Sequence, residues 1–192
     1  MTGRLVILNG APVSGKSSIA RAYDINVAIE IPGGSAGGSP VKYEIDKDSS
    51  ALFVDRIVNV PMFYPNNYGF VPNTLHEGGD PVDVMVRAEV TLVDGSVIRC
   101  RLIGVLHMED DGGRDDKLIA MPIEKVDPFQ AEIQDLEDLP LRHRERIWHF
   151  FEPCKALEEG KWAKVTGWGN KADAQRILME AIERAKKGKA AA

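Results

Sequence analysis

The 192-residue chain has only two cysteines, Cys100 and Cys154, and neither belongs to a C-x-x-C pair or a Cys/His cluster. That excludes a disulfide framework and offers no zinc site, so both are expected to be free thiols. Long apolar runs are missing as well: none approaches the ~20 residues a helix needs to cross a bilayer. The stretch "LVIL" near the start is too brief for the apolar centre of a secretory signal. A cytoplasmic protein, not inserted in a membrane, is the expectation. Basic residues are not in excess either: the formal net charge is −5, and the one markedly basic tract, "ERAKKGK", comes at the C-terminus. Cations there suit the dipole of a helix's last turn. Nucleic acid is therefore not expected as a partner, because phosphate-backbone binding favours a clustered basic face.

What is present fits one globular domain with a sizeable core, with or without a short appendage: 44% of the residues are hydrophobic and 28% charged. Its opening, "RLVILNGAPVSGKSSIARA", carries Gly10, Gly15, Lys16 and Ser17 at the G-x-x-x-x-G-K-S spacing of a phosphate-cradling loop and resembles the start of a P-loop kinase. Such a loop requires a full crossover helix and further parallel strands. Here the helical pattern gives way after about two turns to "DINVAIEIP", where Ile25, Val27, Ile29 and Ile31 alternate as in a strand.

More strands follow at short intervals: "VKYEIDK", "ALFVDRIV", "VDVMVRAEVTL", "SVIRCRLIGVLHME" and "KLIAMP". This density, punctuated by Gly, Pro, Asn and Asp, predicts an antiparallel barrel. The glycine-rich stretch from Gly33 to Ser39 reads as a lengthened hairpin. A helix is predicted from about Leu141 to Leu157, with Pro153 kinking or interrupting it. A final one begins at the cap Asn170, buries Ile177, Leu178, Ala181, Ile182 and Ala185, and stops at Gly188.

The chemistry-bearing residues gather in the connections. Asp80 and Asp83 stand at the mouth of a strand, and Asp110, Asp111, Asp115 and Asp116 occupy another junction. Hard carboxylate oxygens are what Mg²⁺ requires. Lys42, Arg56, Lys117 and Lys155 lie near element ends, and Tyr64 and Tyr68 flank "PNN". Each of these has a simpler individual reading as a turn residue, surface charge or core tyrosine. Together they form a set suited to phosphoryl transfer to water.

From about Asp24 to Lys187 the chain resembles the soluble family I inorganic pyrophosphatases through "IEIP", "VKYEIDK", "ALFVDR", "MFYPNNYGFVP", "GDPVDV", "VIRCRLIGVL", "DDKLIAMP", "HFFE" and "GKW". The resemblance implies a mainly β fold, a small five-stranded OB-like barrel with flanking helices, and Mg²⁺-dependent hydrolysis of pyrophosphate to two phosphates. It also implies a homo-oligomer, commonly a homohexamer. Carried over by position, it makes Asp83, Asp110 and Asp115 metal ligands and Asp80 the acceptor of a proton from the attacking water, close to the metals. Lys42, Arg56, Tyr68 and Lys155 would bind phosphate, with Tyr64 and Lys117 beside them, and Glu30 and Glu44 would assist further metals. Residues 1–22 are then an appendage rather than an independent domain, and 23–192 the pyrophosphatase-like domain.

Three departures stand out. The family pattern D-G-D-P-x-D has Gly78 at its first position, and the family tyrosine before the last lysine is Cys154, preceded by Pro153, which is expected to redirect Lys155. The loop between Glu30 and Lys42 is longer than the family's. A slowed enzyme is expected; the alternatives are a non-catalytic relative that binds phosphate or partner subunits, and a nucleotide-using enzyme built on Gly10–Ser18.

Overall fold

The structure, a computed structural model, describes residues 24–34, 40–46, 49 and 51–191. The appendage 1–22 and its loop Gly10–Ser18 lie outside the described residues. The alternating apolar segment forms β1 (Asp24–Ile31), with Ile25, Val27, Ile29 and Ile31 buried as the pattern requires. It pairs antiparallel with both β4 (Asn67–Val71) and β6 (Val97–Asp110). β4 pairs with β5 (Val82–Val86), β5 with β8 (Lys117–Pro122), and β8 returns to β6. The order β1, β4, β5, β8, β6 and back to β1 closes a five-stranded ring, which leaves no open edge among its members.

One prediction about this ring needs correction: β5 and β8 run parallel, so the barrel is mixed. β6 is long enough to serve further strands beyond the ring, pairing with β7 (Gly113–Arg114) and β9 (Ala163–Gly169). β2 (Val41–Ile45) and β3 (Leu52–Ile57) make a separate two-stranded ribbon. β1 and β2 belong to different sheets; of the glycine-rich stretch between them, residues 35–39 lie outside the described residues. Gly33 is required at its start, because a Cβ there would lie 1.9 Å from the Asn66 carbonyl oxygen.

Alternate residues of each strand face different cores. Val84 and Val86 join Leu118, Ala120, Leu102 and Val27 in one cluster, against which Ala174, Ile177, Leu178 and Ala181 of the C-terminal helix pack. Met85, Ile119, Met121 and Leu106 join the other, covered by Ile147, Phe150 and Phe151. The first of these helices, α1, spans Leu141–Phe151, and the second, α2, spans Lys171–Ala191. α1 ends before Pro153, which has no N–H to continue the helix and falls in the turns that follow. Asn170 and Asp173 cap α2 reciprocally at 3.1 Å each. Gly188 does not stop α2, which continues to Ala191. The strand predicted over "VDVMVRAEVTL" ends at Val86.

Candidate active site

Strand register brings the acids and bases of distant segments together. Asp83 on β5 and Lys117 on β8 meet because Val84 lies opposite Leu118 in the parallel pair. The Lys117 ammonium bridges the carboxylates of Asp83 and Asp115 and lies 5.8 Å from the centre of the Tyr68 ring. Burial alone pulls this ammonium's pKa down, but the two carboxylates overcome that and hold it above the ordinary lysine value. Burial raises the Asp115 carboxyl, and Lys117 partly offsets the rise. The neighbouring Asp116 points the other way, as alternation along an extended chain demands. It is buried and accepts from Arg114 Nε at 2.7 Å and lies 3.0 Å from His107 Nδ1.

Asp110 serves both the turn and the site. Its Oδ1 accepts from Gly112 N at 2.7 Å, closing the two-residue Asp111–Gly112 hairpin between β6 and β7. Its Oδ2 meets Lys155 Nζ at 2.6 Å. Pro153, expected to redirect Lys155 from inside a helix, lies beyond the helix's end. Cys154 packs against the core under α1 and donates its thiol to Phe151 O at 3.1 Å. Asp111 and Lys161 extend this edge: Lys161 pairs with Asp111, which also lies 3.3 Å from Lys155.

The Tyr64 and Tyr68 rings meet tilted, 5.1 Å between centroids, and the Tyr64 ring lies 4.6 Å from that of Phe150. Burial, reinforced at Tyr68 by Asp83, holds Tyr68 well above the ordinary phenol range, so it stays a neutral donor. Glu30 is buried and accepts from Ile45 N at 2.9 Å. Burial pushes its carboxyl up to about 7, against that bond's lowering effect and helped by Asp83. On the ribbon, Lys42 stands opposite Arg56, and Lys42 Nζ meets Asp55 Oδ2 at 2.9 Å. Arg56 Nε lies 4.0 Å from Glu158 Oε1, and Glu44 is exposed.

Asp80 sits on the exposed loop leading into β5, where its carbonyl accepts from His76 N at 2.6 Å. Arg184 anchors the same loop from α2 by donating Nη1–H to Leu75 O at 2.7 Å. Glu77 lies 3.6 Å from Arg114 and 3.7 Å from Arg184. Gly78 has no neighbour within 4 Å of a notional Cβ. Sequence reasoning missed Asn67, whose Oδ1 accepts from Gly33 N at 3.2 Å and Leu92 N at 2.8 Å while Nδ2 donates to Val90 O at 3.0 Å. These bonds tie β4 to Gly33, Val90 and Leu92. The signal was available: two consecutive asparagines in "PNNY", one of them inside a strand.

Among the described residues no three Asp, Glu, His or Cys side chains already form a cation cage. The Lys117 ammonium held between Asp83 and Asp115 marks a point where positive charge is stabilised, and the donors are hard oxygens. This set fits a divalent cation of the Mg²⁺ type.

Known proteins resemble this chain over most of its length. The family model described as Inorganic pyrophosphatase matches residues 27–186. An inorganic pyrophosphatase of Xanthomonas campestris is 55% identical over 161 residues, 84% of this chain and 89% of the relative. One from Rickettsia conorii is 53% identical over 165 residues, 86% and 94% of the two chains. Among solved structures, the inorganic pyrophosphatase of Helicobacter pylori superposes with a TM-score of 0.82 at 48% identity, covering 85% of this chain and 94% of its own. That of Thermus thermophilus gives 0.80 at 40% identity, covering 94% and 99%. With sequence, ring topology and relatives in agreement over nearly the whole described chain, this protein belongs to the inorganic pyrophosphatase family.

Proposed function

We propose that the chain hydrolyses inorganic pyrophosphate to two phosphates with Mg²⁺ as cofactor. The observation that carries the reading is the alternation of Asp83, Lys117 and Asp115 with Asp110 and Lys155 along one end of the barrel. Carboxylates there hold cations, and ammonium groups hold phosphoryl oxygens. Asp83, Asp110 and Asp115 are the metal ligands, with Asp80 contributing and Glu30 and Glu44 supporting further ions. Mg²⁺, when bound, neutralises charge on the phosphoryl oxygens and acidifies water. Lys42, Arg56 and Lys155 clamp the substrate, while Tyr64, Tyr68 and Lys117 orient it. Asp80 takes a proton from the attacking water on its carboxylate.

The assay is phosphate release from pyrophosphate with and without Mg²⁺. Metal-dependent release that falls about 10²–10⁴-fold in Asp80→Asn is expected, the usual contribution of a positioned base. Release indistinguishable from background at every Mg²⁺ concentration would leave the non-catalytic relative as the better description.

The domain comprises residues 23–192, working in the cytoplasm as a homo-oligomer, a homohexamer by family resemblance, with 1–22 appended. ATP or GTP binding that disappears in Lys16→Ala is the measurement on which the nucleotide-using alternative rests.

A further inference from the structure

The first turn of α1 is built against the usual electrostatic preference. Positive charge is unfavourable at a helix N-terminus, where the dipole is already positive. Yet α1 opens "LRHRER", with no acidic residue in its first turn and no side-chain cap on Pro140. The nearby barrel surface adds more positive charge. Arg87 follows β5 directly, fixed by its own N–H to Ala120 O at 2.8 Å. Arg87, His143, Arg146, Asn66 and Glu89 line one cavity of about 260 Å³.

Three observations say what this cavity lacks. Arg87 and Arg146 make no ion pair among the described residues. Arg87, His143 and Arg146 share this lining, and burial first, then the charges of Arg87 and Arg146, push the His143 imidazole below its ordinary value. Asn66 is only 5% exposed, and no described residue hydrogen-bonds to its side-chain amide, although it lines the cavity. Glu89 brings the one opposing charge, and its Oε1 already accepts from Gln130 Nε2 at 3.0 Å. The lining therefore keeps a positive excess, with donors from the residue after β5, from a helix and from a buried amide.

We propose that this cavity is an anion site for a tetrahedral oxyanion, inorganic phosphate or the phosphate group of a monoester. Arg87 and Arg146 supply the charge, and the Asn66 amide and His143 supply oriented donors. The site is separate from the carboxylate-rich one: its lining contains none of the acids proposed to hold metal. Binding here does not depend on pyrophosphate hydrolysis.

The test is equilibrium dialysis of the full-length protein in EDTA, with inorganic phosphate and, separately, glycerol 3-phosphate as probes. A saturable, metal-independent class of site is expected. The Arg87→Gln/Arg146→Gln variant should weaken it about tenfold or more, the usual loss for charge-assisted hydrogen bonds. Arg56→Gln should leave it unchanged. Binding of phosphate alone identifies the free ion as the occupant, and binding of the monoester alone identifies the ester. Absence of saturable binding for both probes overturns the proposal. So does binding that survives the double substitution, or that disappears in Arg56→Gln.

Discussion

The charged groups of the candidate site divide between two supports that differ sharply in burial. On the barrel, Lys117 is 5% exposed and lies between two carboxylates. On the β2–β3 ribbon, every residue of β3 is exposed, and Lys42 and Arg56 reach partners at 2.9 and 4.0 Å. A charge buried beside its partners is tied to folding; one on an exposed ribbon is available mainly for a ligand.

Lys117→Met is the largest test of that contrast. It keeps most of the unbranched apolar stem but leaves Asp83 and Asp115 facing each other without the ammonium. Removing one member of a buried ionic cluster costs about 3–5 kcal/mol, and the low end applies because both carboxylates keep some solvent contact. Urea unfolding in EDTA measures the loss, and Mg²⁺ should stabilise the variant more than the native protein. A loss below about 1 kcal/mol would mean that solvent compensates as it does at the surface.

Arg56→Ala is the matching change on the ribbon. Stability should stay within about 0.5 kcal/mol of the native protein. KM for pyrophosphate should rise about tenfold or more, because a charge-assisted contact is lost. A stability loss like that of Lys117→Met would erase the distinction between the two supports.

How much of this was legible follows the same division. Segments with clean apolar alternation, such as Ile25–Ile31, were readable as strands, and the helical spacing around Phe150 gave α1. β4 was not readable, because "NYGFV" contains Asn and Gly where a strand pattern expects apolar or β-branched residues. Asn67 is tolerated there because its amide satisfies three backbone groups. β9 was hidden in the same way by Gly167 and Gly169, and Gly169 is needed where a Cβ would lie 2.7 Å from Val105 and His107. The acidic junction was legible as composition. Its pairing was not, since the Lys117 to Asp83 contact depends on a parallel register between β5 and β8 that no local pattern encodes.

Gly78→Asp is a smaller perturbation that sharpens the comparison at the edge of the barrel. Its φ is not among the positive ones, and a side chain would meet nothing within 4 Å, so the fold should lose no more than about 0.5 kcal/mol. Added oxygen donors raise affinity for a hard cation. The Mg²⁺ concentration for half-maximal activity should therefore fall and the rate rise. An unchanged metal titration would show that the missing carboxylate does not limit turnover.

The smallest expected effect lies at a fully exposed carboxylate. Asp138 accepts from Gln134 N at 2.8 Å and Asp135 N at 2.9 Å, closing the 3₁₀ turn Leu136–Asp138 whose Leu136 enters the core under α1. Those N–H donors, Gln134 first, hold its carboxyl below the ordinary value of 3.8. A depressed folded-state pKa adds stability that is fully present above 3.8 and is lost as pH falls through the folded-state value. Asp138→Asn keeps an accepting oxygen and removes only the charge, so the gap between native and variant in urea unfolding should be open at pH 7 and close in acid. A gap that stays constant from pH 7 down to about 3 would assign the cap to neutral hydrogen bonding, leaving the exposed charge without effect on folding.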